Sequence, residues 1–148
     1  MLIEYILGVK GENVTTVMPD TSLRVAAAKM QAKAIGIVVV RSHDGDVVGV
    51  LSERDCVRGI ALYPDKINEM MVKDLMTADP ITCAPDSDPI DVMVTMKEGG
   101  FRHMPVVKDG RLTGLISITD LNRFLLAETD MSADWRQRLQ RAGLFGAR

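Results

Sequence analysis

Apolar and polar positions along this chain alternate between two spacings, one suited to helices and one to strands. From Leu23 to Lys33, Ala26, Ala27 and Met30 recur at helical spacing among polar neighbours, which predicts an amphipathic helix. An unbroken apolar run, Ile35 to Val40, follows and predicts a buried strand over Ile35 to Arg41. The polar turn at Asp44-Gly45 then leads to a second strand, Val47 to Leu51, a hairpin signal. Ser52-x-x-Asp55 opens a closing helix. The same succession returns later. Asp88 suits an N-cap and Pro89 the first helical position, and Gly99-Gly100 stops that helix. A strand over Arg102 to Val107, a turn at Asp109-Gly110, a strand over Leu112 to Ile116, and Ser117-x-x-Asp120 complete it.

The succession is an internal repeat. Pro19-Asp20 recurs as Pro85-Asp86 and Met30 as Met96, each 66 positions on; after one deleted residue, Gly49-Val50-Leu51-Ser52 recurs as Gly114-Leu115-Ile116-Ser117, 65 positions on. The expected fold class is therefore α+β: two pseudo-symmetric βαββα repeats sharing one core, with N- and C-terminal helical extensions. The expected boundaries are an N-terminal helical segment 1–8, repeat one 9–62, a linker 63–71, repeat two 72–128, and a C-terminal amphipathic helix 129–148. A copy of about 60 residues buries too little surface to stand alone, which is why one shared core is expected. In the C-terminal segment Trp135, Leu139 and Ala142 fall on one helical face over Met131 to Leu144, with arginines on the others. That face suits packing against its own or a partner subunit, or docking of another protein. Leu2, Ile3, Ile6 and Leu7 are expected to cover the same region.

Composition narrows the function. Across 148 residues, 47% are apolar and 26% charged, as in globular proteins; aromatics are only 4%, so aliphatic side chains and ten Met must fill the interior. The net charge of −2 disfavours nucleic acid as a partner. Basic residues cluster only at Arg136, Arg138, Arg141 and Arg148. Cys56 and Cys83 have no neighbouring Cys or His at metal spacing, so they read as small, half-buried side chains and no metal is expected. The N-terminus lacks the basic region of a secretory signal, and the longest apolar run is far short of the roughly 20 residues that span a bilayer. A cytoplasmic location with no membrane partner is expected.

Five stretches carry a family likeness: Ile35-Gly36-Ile37-Val38-Val39-Val40, Gly49-Val50-Leu51-Ser52-Glu53-Arg54-Asp55, Val72-Lys73-Asp74-Leu75-Met76-Thr77, Arg102-His103-Met104-Pro105-Val106-Val107 and Gly114-Leu115-Ile116-Ser117-Ile118-Thr119-Asp120. In this order and in duplicate, over residues 10 to 126, the chain resembles a stand-alone CBS-domain pair, or Bateman module. The resemblance implies a regulatory binding module for adenine nucleotides (AMP, ADP, ATP or NAD(H)), a homodimer packed through its helices, and a separate, unknown protein target.

It also implies where the ligand lies: in two clefts between repeats, each built from one repeat's Ser-x-x-Asp turn and the other's strands. One would join Ser52, Arg54 and Asp55 to Thr77, Thr82, Phe101, Arg102, His103, Met104 and Pro105. The other would join Ser117, Thr119 and Asp120 to Gly11, Thr16, Ile35, Gly36 and Ile37, with Lys10 its only nearby cation. Each Asp would accept both hydroxyls of a ribose diol, a charge-assisted pair, and the serine with its neighbouring backbone N–H groups suits a phosphate or sugar oxygen. Because Arg54, Arg102 and His103 suit phosphates, the Asp55 cleft is expected to take the more phosphorylated group. Val39 stands where the second repeat has Pro105, a departure from the family pattern.

Ser-x-x-Asp before an apolar run is also nearly a capping box, a purely structural device, and that reading stays open. So do a ligand-independent dimerisation or adaptor role and a sensor of S-adenosylmethionine. An enzyme is not expected: His43 and His103 are the only histidines, and neither sits in a nucleophile–base or metal pattern. No catalytic cofactor is expected.

Overall fold

The computed structural model describes residues 2–11, 13–127 and 133–144. In chain order these form α1 (Ile3–Lys10), β1 (Thr16–Val17), α2 (Leu23–Lys33), β2 (Ile37–Arg41), β3 (Val47–Ser52), α3 (Glu53–Leu62), a short 3-10 turn (Ile67–Glu69), α4 (Val72–Leu75), β4 (Thr77–Ala78), α5 (Pro89–Gly99), β5 (His103–Lys108), β6 (Arg111–Ser117), α6 (Ile118–Ala127) and α7 (Ala133–Arg141). They pack as two compact units. One holds residues 13–81 with the hairpin tip 109–112; the other holds 1–12, 82–108 and 113–148.

The first-repeat unit is built on a four-stranded sheet in the order β1-β2-β3-β4. β1 runs parallel to β2, pairing Val17 with Val40, while β2–β3 and β3–β4 are antiparallel. Val38 and Val40 from β2 and Leu51 from β3 meet Leu23, Ala26 and Met30 of α2, with Val17, Val72 and Leu75 completing the core. Each fully buried side chain of this size stabilises the fold by about 1.5–3 kcal/mol relative to exposure. Ser22 caps α2, its hydroxyl accepting from Val25 N–H at 3.2 Å.

The second-repeat unit repeats this plan with less strand. β5 and β6 form a two-stranded sheet, and the first strand shrinks to one parallel bridge, Cys83 with Val106. That bridge is the counterpart, 66 residues on, of Val17 with Val40. Ile90, Met93 and Met96 of α5 pack with Met104, Val106, Ile116 and Leu121, and with Ile3, Ile6 and Leu7 of α1 and Leu139 of α7. The N-terminus and the C-terminal helix therefore do cover the same region.

Within each unit the buried residues form a cluster of their own. Each is completed by a helix from the other end of the sequence pattern. α4, which opens the second repeat, docks on the first: Val72 N–H donates to Thr21 O and Lys73 N–H to Pro19 O, both at 2.9 Å. α1 does the same on the second, Ile3 N–H donating to Ser87 O at 3.1 Å and Glu4 N–H to Pro85 O at 2.8 Å. Thr21 and Ser87, like Pro19 and Pro85, are repeat equivalents. Loop carbonyls thus satisfy helix N–H groups that have no partner within the helix. This exchange supplies the apolar surface that a 60-residue copy lacks.

Two strands begin later than the apolar runs suggest. Ile35 N–H bonds back to Met30 O at 3.0 Å, and Phe101 N–H to Met96 O at 3.1 Å, so these residues close the preceding helices. The turn residues Ala34 and Gly100 take the left-handed conformation, with φ 51° and 70°. β2 accordingly starts at Ile37 and β5 at His103. The amphipathic helix expected over Met131 to Leu144 is observed as α7; residues 131, 132 and 145–148, with Arg148, lie outside the described residues.

Candidate ligand-binding site

In the first-repeat unit, β3 ends at Ser52 and α3 begins at Glu53, so a strand delivers Ser52 directly to a helix N-terminus. Ser52 Oγ accepts from Asp55 N–H at 3.2 Å; Asp55 Oδ2 accepts from Ser52 N–H at 2.9 Å and from Ser52 Oγ at 3.0 Å. The capping box is therefore complete. Asp55 is 7% exposed, a buried carboxylate, and its other oxygen lies 3.0 Å from Arg58 Nη2. Glu53 N–H donates to Gly36 O at 2.9 Å, and a Cβ on Gly36 would meet the Glu53 carboxylate at 3.2 Å. Gly36 is thus clasped against the turn, and Ile37 pairs with Ser52 across the ladder. Ile35 and Thr16 are half-buried in the same unit; Arg54 and Thr77 are exposed, Thr77 paired with Val50 on β4.

In the second-repeat unit the turn is reproduced. Asp120 Oδ2 accepts from Ser117 N–H at 2.9 Å and Ser117 Oγ at 2.8 Å, while Ser117 Oγ accepts from Asp120 N–H at 3.1 Å. Ile118 N–H donates to Arg102 O at 2.9 Å, the counterpart of Glu53 with Gly36. The cation here comes from α1: Lys10 Nζ lies 2.6 Å from both Asp120 Oδ2 and Leu115 O. Partial burial pushes the Asp120 carboxyl up, but Lys10 and the Ser117 hydroxyl and N–H together outweigh it and hold it below the ordinary carboxylate range. Gly11, at φ 97°, ends α1 directly after Lys10. Thr82, Arg102 and Thr119 are exposed, and Phe101 and His103 half-buried, with the Phe101 ring against Gly99. Met104 and Pro105 are buried, and the Met104 side chain is part of this unit's core.

Each expected set of residues draws on both units. Within one unit the structure brings Ser52, Asp55, Gly36 and Ile37 together, and within the other Ser117, Asp120, Lys10 and the Arg102 backbone. Arg58 was not foreseen, although its i,i+3 spacing from Asp55 on a helix was a usable signal. Both carboxylates therefore carry an ion pair as well as a cap. Polar groups of this kind can hold a vicinal diol by exchanging one intramolecular hydrogen bond for another.

Elsewhere the chemistry is quiet. Burial pushes the Cys83 thiol up to about 11. Burial, helped by the Asp55 charge, also raises that of Cys56. Among the described residues no group of three or more His, Cys, Asp or Glu is placed to hold a metal ion, and no helix is long and apolar enough to cross a membrane.

Comparison with known proteins agrees with the repeat. Residues 9–62 and 72–127 each match the model of the CBS domain. An uncharacterized protein of Methanocaldococcus jannaschii is 32% identical over 125 residues, which cover 84% of this chain but 41% of that protein, so the chain spans less than half of that relative. The crystal structure of a CBS-domain-containing protein from Agrobacterium tumefaciens superposes with a TM-score of 0.78 at 38% identity, covering 82% of this chain and 91% of that one. The CBS domain pair of protein MJ0100, solved in complex with 5′-methylthioadenosine and S-adenosyl-L-methionine, shares the fold at a TM-score of 0.77 and 22% identity, covering 87% of this chain and 98% of that one.

Proposed function

The chain belongs to the CBS-domain family, as a pair of such domains, and we propose that it is a cytoplasmic regulatory module that binds adenosine-containing ligands at its two Ser-x-x-Asp turns. The observation that carries this reading is the pair of intact turns, each a buried or half-buried aspartate fixed at a helix start with its serine. A fold neighbour binds two adenosine-bearing molecules, which supports the ligand class. The nucleotide proposed is AMP, ADP or ATP, with NAD(H) and S-adenosylmethionine as the other members of the class. Asp55 and Asp120 hold the ribose diol, and the exposed Arg54 and Arg102 attract the phosphates. It acts by binding, not by turnover.

Calorimetry of the full chain against AMP, ATP, NAD, NADH, S-adenosylmethionine and 5′-methylthioadenosine tests this. Saturable binding of at least one, weakened by Asp55→Asn or Asp120→Asn, is expected; silence from all six overturns the reading.

The relay is proposed to run through a homodimer. α3 leaves Val57, Ile60 and Leu62 at 64, 58 and 61% exposure, an apolar face with no cover inside its own unit. A second copy is the occupant proposed for it. Ile60→Glu, at an exposed position, is expected to halve the mass measured by light scattering while leaving the helical signal intact. An unchanged mass removes α3 from the interface.

A further inference from the structure

A second feature of the first-repeat unit lies at the far end of β2 from Gly36 and Ile37, roughly 13 Å along the strand by its rise per residue. There a groove of about 420 Å³ is lined by Lys29 from α2, Arg41 at the end of β2 and His43 in the following turn. The hydroxyls of Thr16, Thr21 and Ser42 join them. The chain is acidic overall, yet among the described residues none of these three basic side chains is in an ion pair. The adjacent Asp44 and Asp46 are exposed and pair with none of them.

Arg41 is pre-set for an anion. The β2–β3 register shifts between Val40 and Arg41, which re-aims the side chain. Its Nε donates to Gly45 O at 3.1 Å, and a Cβ on Gly45 would come within 3.0 Å of Nη2, so the guanidinium lies over a glycine whose φ is +90°. The terminal N–H groups keep the fork geometry that suits a phosphoryl oxygen pair. Thr21 and Ser42 hydroxyls accept from Met18 and Asp46 N–H groups, each at 3.2 Å, which leaves their own hydrogens to donate. The fold does not require this chemistry: 66 residues on, Lys29 and Arg41 become Thr95 and Val107.

We propose that this groove is a further binding site, separate from the two Ser-x-x-Asp turns, for the phosphoryl groups of a small, multiply phosphorylated ligand. Its volume exceeds what one orthophosphate fills and lies in the range of small-molecule pockets. Val17 and Met18 give one wall an apolar surface for the rest of the molecule.

The test is calorimetry of the full chain with orthophosphate, pyrophosphate and tripolyphosphate at fixed ionic strength, with sulfate as control. Saturable binding of pyrophosphate or tripolyphosphate is expected, at least tenfold weaker in the double variant Lys29→Thr/His43→Asp, which removes two basic side chains at exposed positions. Undiminished binding in that variant, equal binding of sulfate, or no saturation with any of the three overturns the site. 5′-Methylthioadenosine, which has no phosphoryl group, separates this site from the Ser-x-x-Asp turns. Its binding should persist in Lys29→Thr/His43→Asp and weaken in Asp55→Asn/Asp120→Asn, so either reading can fail alone.

Discussion

Lys10 Nζ stands 2.6 Å from Asp120 Oδ2 across 110 residues of chain, and fastens the exchanged helix α1 to the start of α6. Replacing Lys10 by Met keeps the length of the side chain and removes the charge. At neutral pH this should cost about 1 kcal/mol, the upper range for a partly exposed pair. The pH dependence has a definite sign. Asp120 is held below its ordinary value of 3.8 in the folded chain, so its contribution is full above that value and lost as pH falls through the depressed one. Urea midpoints of wild type and Lys10→Met should therefore differ at pH 7 and converge in acid. A gap that widens on acidification would contradict the assignment.

Asp55 and Asp120 are matched in capping but not in their cations, Arg58 in one case and Lys10 in the other. Asparagine retains an oxygen for the serine N–H and loses the charge. Each Asp→Asn change should lower the affinity of its adenosine ligand about tenfold, or 1.4 kcal/mol, with a smaller change in unfolding midpoint. With Arg54 close in sequence to Asp55, Asp55→Asn should weaken ATP more than 5′-methylthioadenosine. Equal losses for both ligands in both variants would remove the proposed difference between the two turns.

Much of this arrangement was legible in the amino-acid order because both repeats carry the same local signals. Asp88 and Pro89 open α5 as their types require, and α2 runs over the periodic segment Leu23–Lys33. The Ser-x-x-Asp turns were visible as motifs, and the capping alternative is realised in both. What was hidden is long-range. The docking of α1 on Pro85 and Ser87, and of α4 on Pro19 and Thr21, rests on backbone hydrogen bonds, which leave no mark on residue type. The late start of β2 was hidden for a similar reason: Ile35 is apolar and strand-like, but its N–H group is claimed by the preceding helix.

Gly49 and Gly114 are repeat equivalents placed under exchanged side chains, and they should not tolerate alanine equally. A Cβ on Gly49 would come within 2.6 Å of Met76 Sδ and 3.0 Å of the Thr77 carbonyl oxygen, which is backbone. On Gly114 its nearest neighbours would all be Leu7 side-chain atoms, the two methyl groups at 2.8 Å. Side-chain tips move more cheaply than backbone, so Gly49→Ala should destabilise by about 2–3 kcal/mol and Gly114→Ala by about 1. The Leu7→Ala/Gly114→Ala pair should cost less than the sum of its parts, because Leu7→Ala vacates the space the new methyl needs. Additive urea midpoints would show that Leu7 does not cover Gly114.

The role of α7 can be separated into charge and burial. Arg138 reaches Asp88, the N-cap of α5, at 3.0 Å and Asp91 at 2.9 Å; Leu139 beside it is 1% exposed within the core. Partial burial raises the Asp88 carboxyl, but Arg138 and the Ile90 and Asp91 N–H groups outweigh it and hold it low. Arg138→Ala should cost at most about 1 kcal/mol, since both partners stay solvated and Asp88 keeps its capping bonds. Leu139→Ala removes a buried side chain and should cost about 2–4 kcal/mol. Urea unfolding of the two variants distinguishes the alternatives for this helix. A large Leu139 effect at low protein concentration, where any dimer has dissociated, means that α7 completes its own subunit's core. A loss that appears only at high concentration, together with a reduced mass by light scattering, means that the helix is held by a partner.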